Sequence, residues 1–251
     1  NSPRSGTVTV SASTEPIYSF TPAGNGVPRC VWDALTRGDV AGIGNTGAAL
    51  TPEESAQPAT RVINGRDHRL YSVACTGAGT SLRYVPTGVD VDDLIAGITD
   101  QVEGRLQLPV PSISPTPEAN GIVNLGVWLA VEPQSLDAIT AQAGPSVWIT
   151  VTPTLHTTTC DLGNGDSVTC ATTGVPIESV HPDLDVAEQS PTCGYTYRHS
   201  SADDAPYQLS ITTTWALPYT SSEGAGEIPP LERTIAIDYD VDEIQTIGVR
   251  G

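Results

Sequence analysis

The groups in this chain that could carry chemistry are five cysteines, twenty-nine carboxylates and four histidines. Cys30, Cys75, Cys160, Cys170 and Cys193 lie at long, uneven intervals with no C-x-x-C pair. A zinc site wants short paired spacings, which are absent, so disulfides in an oxidising compartment are the expected use of this sulfur. His68, His156, His181 and His199 show neither the i, i+4 spacing nor the H-E-x-x-H pattern of a metalloprotease helix. Among the acids, Asp90, Asp92 and Asp93 invite comparison with an EF-hand loop. That loop needs Gly at its sixth position and Glu at its twelfth, where this chain has Ile95 and Gln101. Helix capping explains them better. Asp183 with Asp185, and Asp203 with Asp204, are loop acids and the weak calcium candidates, since a few converging carboxylates and carbonyls suffice for that ion.

The nucleophile motifs fail in turn. No G-x-S-x-G elbow occurs, and Gly144-Pro145-Ser146 is not one. The chain contains no Lys, so it has no phosphate-binding G-x-x-x-x-G-K-[ST] loop. Ser/His/Asp triads and glycosidase carboxylate pairs are recognised by geometry, and the sequence leaves both open. The expectation is a non-catalytic protein with no cofactor, calcium being the one ion its loops admit.

The formal net charge of −18 repels phosphate backbones and anionic lipid, which argues against nucleic-acid binding and membrane docking. With no Met, residue 1 is not a translation start, and Asn1 reads as a mature end. No stretch is apolar for long enough to span a bilayer: the longest, Gly121 to Val131, is far too short. Membrane insertion of this stretch is not expected, although an anchor in a precursor segment is compatible with it.

The elements that must position these groups are mostly strands. Gly (24) and Pro (21) favour turns, and Thr and Val recur in short alternating runs. Residues 6–12 alternate as a strand. Residues 69–76 and 80–85 read as two strands around Gly77-Ala78-Gly79. Thr51 to Glu54 reads as the capped start of a short helix. A clearer helix occupies about residues 90–107, with Val91, Leu94, Ile95, Ile98, Val102 and Leu106 on one face and Asp90 as N-cap. The four prolines of residues 109–118 predict an extended connector and a domain boundary. Residues 121–131, 146–152, 207–215 and 234–242 follow as strands. In the last, Ile235, Ile237, Tyr239 and Val241 point inward while Asp238, Asp240 and Asp242 point to solvent. Trp32, Trp128, Trp148 and Trp215 fall one per strand-like segment, where core packing is the default.

Cys160-Asp161-Leu162-Gly163-Asn164-Gly165-Asp166, then Cys193-Gly194-Tyr195-Thr196-Tyr197, then the strand 207–215, together resemble the PKD domain. That family carries a W-D-F-G-D-G turn, an H-x-Y element and a Y-x-V-x-L-x-V strand. Cys160 stands where the family has Trp, and Asn164 replaces an Asp. From Val123 through Trp128, Cys170 and Cys193 to Gln245, the chain also looks similar to a group of secreted or membrane-tethered actinobacterial proteins. These resemblances imply an Ig-like β-sandwich, a surface location and a spacer or adhesion role. Without the family, Asn164-Gly165 is still a strong turn dipeptide between Thr-rich strands.

Within this division Cys170 is paired with Cys193 and Cys30 with Cys75, each worth about 3–4 kcal/mol on the chain-entropy estimate. Cys160 is the odd sulfur, a free thiol candidate, although it competes for Cys170 or Cys193. The fold expected is mainly β: an N-terminal β-rich module over residues 1–108 that includes the connecting helix, the connector 109–118, and a PKD-like sandwich over 119–251. The function expected is a structural, adhesion or assembly module, extracellular or on the cell surface, acting through a protein partner or self-assembly. Its rivals are a carbohydrate-binding or carbohydrate-cleaving protein and a calcium-dependent surface protein. Exposed aromatics lining a groove with two facing carboxylates would favour the carbohydrate reading.

Overall fold

The computed structural model describes residues 18–20, 30–35, 58–75, 79–174, 193–201 and 205–244. The expected strand at 6–12 and the short helix at 51–54 lie outside them. The described chain is mainly β, with one α-helix, as the turn-rich, Thr- and Val-rich composition requires. It divides into two compact units, each drawn from three separate stretches of sequence.

The first unit takes residues 1–104, 137–152 and 218–228. Its centre is the ten-residue strand β4 (Arg66–Cys75). Strand β5 (Gly79–Pro86) pairs along one side of β4, while β2 (Cys30–Ala34) and β3 (Thr60–Ile63) pair along the other. Leu70, Leu82 and Tyr84 form a buried cluster on this sheet. Helix α1 (Val91–Arg105) buries Val91, Leu94, Ile98 and Val102, the stripe its periodicity predicts. Asp90 caps it: its Oδ1 accepts from the Asp93 backbone N–H at 3.0 Å. Strands β1 (Tyr18–Phe20), β9 (Ile139–Ala143) and β10 (Val147–Val151) pair in order, and β10 pairs with residues 219–221.

The second unit takes residues 105–136, 153–217 and 229–251. One layer holds β12 (Ser167–Ala171), β11 (Thr154–Asp161), β14 (Tyr207–Ser221) and β15 (Gly224–Tyr239) in that spatial order. A second sheet holds β13 (Gly194–Thr196), β8 (Gly126–Val131) and β6 (Pro111–Ser114). Strands β7 (Gly121–Ile122) and β16 (Val241–Asp242) pair in parallel. One buried cluster draws Val127, Leu129 and Val131 from β8, Cys160 from β11, Cys170 from β12 and Leu209 and Ile211 from β14. Two sheets sharing one core make this unit sandwich-like.

Two strands differ from their sequence reading. The apolar run 121–131 is not one strand: Asn124, at φ 67°, turns the chain between β7 and β8, and the Leu125 N–H closes the turn on the Ile122 carbonyl at 3.0 Å. Asn is one of the few residues that adopts this backbone conformation readily. The run 234–242 likewise breaks at Asp240, where the chain leaves its β14 partner and pairs with β7 instead. Of the Pro-rich stretch 109–118, expected to be extended, Pro111–Ser114 is a strand paired to β8, while Pro117 and Glu118 enter a short 3-10 turn, Pro117–Ala119.

Candidate functional site

The sulfurs behave as structural groups. Cys170 and Cys193 form a disulfide with Cα atoms 5.6 Å apart, tying β12 to the start of β13. The backbone register sets Cys30 directly opposite Cys75, while their side chains lie outside the described set. Cys160 is a free, buried thiol. Burial pushes its pKa up to about 11, so at neutral pH it stays protonated and unreactive.

Asp183, Asp185, Asp203 and Asp204, the calcium candidates, lie outside the described residues, as does His181. Among the described residues no three His, Cys, Asp or Glu side chains group to hold a metal. Asp238, Asp240 and Asp242 each meet a neutral side chain: Gln208 donates to Asp238, Ser201 to Asp240 at 3.2 Å and Asn120 to Asp242 at 3.0 Å. His68 is buried with its Nδ1 2.9 Å from the Arg66 carbonyl; His156 and His199 are exposed and far apart in sequence. A cavity of about 240 Å³ is lined by Arg105, Gln107, Pro133, Gln134, Ser135 and Leu136. It contains neither a carboxylate nor an imidazole, so its lining offers no acid–base pair.

The turn 161–166 and the Tyr195–Tyr197 element, separate in sequence, meet. Asp161 Oδ1 accepts from the Gly163 N–H and Asn164 Oδ1 from the Asp166 N–H, both at 3.0 Å, so the turn is wound by its own side chains. Asn164 donates to the Tyr195 hydroxyl at 3.0 Å, and that hydroxyl donates to the Asp166 carboxylate. The bond to Asp166 holds the Tyr195 pKa above the ordinary phenol value. Gly163 sits against β14 at φ +72°, where a Cβ would lie 2.6 Å from the Gln208 nitrogen. Behind the turn, Tyr197 packs against Tyr195, Tyr207 and Tyr239 at centroid distances of 5.0, 5.0 and 6.0 Å. Tyr197 and Tyr239 are buried, and each finds a backbone acceptor, on Leu162 at 3.2 Å and Pro115 at 3.1 Å. Burial pushes the Tyr239 pKa up to about 12 and raises Tyr197 further still. These tyrosines build a core with satisfied polar tips. Trp32, Trp128 and Trp215 are buried as well, in line with the core reading, and Trp148 is half-buried.

The other face of the β12–β11–β14–β15 layer is where the unit presents chemistry to solvent. Strand alternation sends Cys160, Leu209 and Ile211 inward and their neighbours outward. The register then aligns Thr169, Thr159 and Thr212 in a row across three strands, and the Thr212 hydroxyl reaches Thr234 on the fourth at 2.8 Å. Thr159 and Thr169 share a hydroxyl bond of 3.1 Å. Ala171, Thr157 and Thr214 form the row on one side, and Ser167, Asp161 and Ser210 the row on the other. Cross-strand spacing is about 4.8 Å and along-strand spacing about 7 Å between like-facing side chains. The centre of this face carries only hydroxyl and methyl groups. Charge begins at its margins, with Asp161, Glu232 and Asp238. Sequence reasoning registered these segments only as Thr-rich strands. The signal that marks the face was there, as small polar residues at period two in Thr157/Thr159, Ser167/Thr169 and Ser210/Thr212/Thr214.

No protein-family model matches the chain, and no curated protein or solved structure matches it either. Among the described residues no helix is long and apolar enough to cross a membrane.

Proposed function

We propose that this protein is a non-catalytic structural module of the extracellular space or cell surface, engaged in adhesion or assembly through protein–protein contacts. The contact surface is the Thr- and Ser-lined face of the β12–β11–β14–β15 layer. The observation that carries this reading is the uncharged centre of that face, on a chain whose net charge is −18. Protein interfaces deplete charged residues at their centre and place polar and charged groups at the rim. Here the rim is acidic, so the partner fitting it has basic groups around a neutral polar centre. Two copies of this chain meeting face to face would set acid against acid, which disfavours self-association through this surface.

Further support comes from the aromatics. Trp32, Trp128, Trp215, Tyr84, Tyr197 and Tyr239 are buried in cores, so none of these six serves as the stacking platform that the carbohydrate reading calls for. The likeness of the 161–166 turn, the Tyr195–Tyr197 element and β14 to a PKD domain points the same way, since such domains serve as spacers and adhesion modules. The disulfide suits an oxidising compartment.

The test uses the labelled full chain on the surface of the cells that produce it, before and after the cells are treated with protease. Retention that disappears with protease supports a protein partner. Retention that survives protease, or no retention at all, overturns the proposal.

A further inference from the structure

We propose that Asn64 is a site of spontaneous covalent modification, a deamidation clock built into the tip of the β3–β4 hairpin. The described chain contains three Asn-Gly pairs: Asn64-Gly65, Asn120-Gly121 and Asn164-Gly165. All three share the chemistry. The backbone nitrogen of the glycine attacks the Asn side-chain carbonyl carbon, loses its proton, and ammonia leaves as a five-membered succinimide closes. Water then opens the ring at either carbonyl, giving aspartate or isoaspartate. One water is consumed and one ammonia released, with no redox change and no cofactor. What differs among the pairs is how firmly the fold holds the reacting atoms.

At Asn164 both ends of the amide are held, the nitrogen on the Tyr195 hydroxyl and the oxygen on the Asp166 N–H, each at 3.0 Å. At Asn120 the amide nitrogen is held by Asp242 at 3.0 Å. The attacking nitrogen of Gly121 is itself committed, donating to the Asp240 carbonyl at 2.8 Å. Asn64 is exposed, and no hydrogen bond to another described residue holds its side chain. A Cβ on Gly65 would meet nothing within 4 Å, so no other part of the fold packs against the outer side of the turn at Gly65. Both turn residues have positive φ, 51° and 78°, so the ring can close only when the tight turn opens. That opening is cheap, because β3 has four residues of which Thr60, Arg61 and Val62 are exposed. Held amides at the other two sites reduce the reactive population on the order of tenfold, at the usual net strength of a hydrogen bond. Conversion to isoaspartate inserts a methylene into the backbone of the turn. The Ile63–Arg66 register that starts the hairpin is then lost, and β3 is released from β4.

The experiment is incubation of the native full chain at mildly alkaline pH, followed by peptide mapping by mass spectrometry, with a parallel sample in denaturant. The expected result is that Asn64 converts on the order of tenfold faster than Asn120 and Asn164 in the native sample. In denaturant the three rates converge, and Asn64→Ser abolishes conversion at that peptide alone. Equal native rates, a faster Asn164 or Asn120, or a native Asn64 that stays intact while the denatured one converts would each overturn the proposal.

Discussion

Replacing Gly163 by alanine tests the join between the 161–166 turn and strand β14, which packs against it. The backbone there has φ +72°, and an added Cβ would lie 2.6 Å from the Gln208 nitrogen and 2.9 Å from its oxygen, both main-chain atoms. The left-handed conformation alone costs a non-glycine residue about 1–2 kcal/mol. The contact cannot be relieved by rotating a side chain, so β14 or the turn must move, at a cost typical of overpacking, about 1–3 kcal/mol. Gly165, two residues on, supplies the control: its φ is +96° and nothing lies within 4 Å of the Cβ position. Gly165→Ala therefore carries the conformational cost without the clash. Urea unfolding followed by circular dichroism should place Gly163→Ala about 2–5 kcal/mol below the parent, and Gly165→Ala between the two. If the two variants are equally stable, the close approach of turn and strand is wrong, and with it the account of how Tyr195 and Tyr197 are placed.

Other consequences follow from groups already described. Cys160 should resist thiol reagents in the native state at neutral pH and react fully in denaturant; native labelling at the rate of an exposed cysteine would contradict its burial. The same burial sets an alkaline limit. Deprotonation is easier in the unfolded chain than in the folded one, so the stabilisation is complete below the unfolded thiol pKa. It falls as pH rises from about 9 toward 11, by about 2–3 kcal/mol for Cys160. Tyr239 adds a further loss as pH approaches about 12, and Cys160→Ala should flatten the lower part of this profile in pH-dependent melts. Replacing both Cys170 and Cys193 by serine opens a loop of sequence separation 23 and should cost about 3 kcal/mol in denaturant unfolding. Asp90→Ala removes the cap of α1 and should cost about 1 kcal/mol, whereas Asp90→Asn should recover most of it.

Much of this architecture was legible because single signals decided it. The stripe Val91, Leu94, Ile98, Val102 admits only a helix, and Asp90 marks its start. Asn164-Gly165 fixes a turn, and the alternation of Asp238 with Tyr239 points one outward and one inward. Where two signals compete in one segment, the stronger local one hides the other. The apolar run 121–131 masks the left-handed Asn124 that divides it. Pro229 and Pro230 hide the middle of β15, whose sixteen residues tolerate them on a strand whose one described partner is β14. Strand β9, Ile139–Ala143, is buried on both faces yet carries Thr140 and Gln142, so it lacks both the alternation and the aliphatic run that mark a strand. The candidate face was invisible for a different reason. Each Thr-x-Thr is visible along its own strand, but the row from Thr169 to Thr234 exists only once register aligns four strands.

The central claim is that this Thr and Ser face makes the contact, and the most direct measurement is binding of a Thr212→Arg variant to the surface of the producing cells. Thr212 lies mid-row between Thr159 and Thr234, so a long cation there intrudes on the uncharged centre. Gln107→Arg, at an exposed position outside the four strands of this layer, adds the same charge as a control. The account predicts that Thr212→Arg lowers retention about tenfold or more, as for a residue at an interface centre. Gln107→Arg should bind as the parent does, with melting temperatures of all three within a few degrees. Retention of Thr212→Arg equal to that of the parent would contradict it.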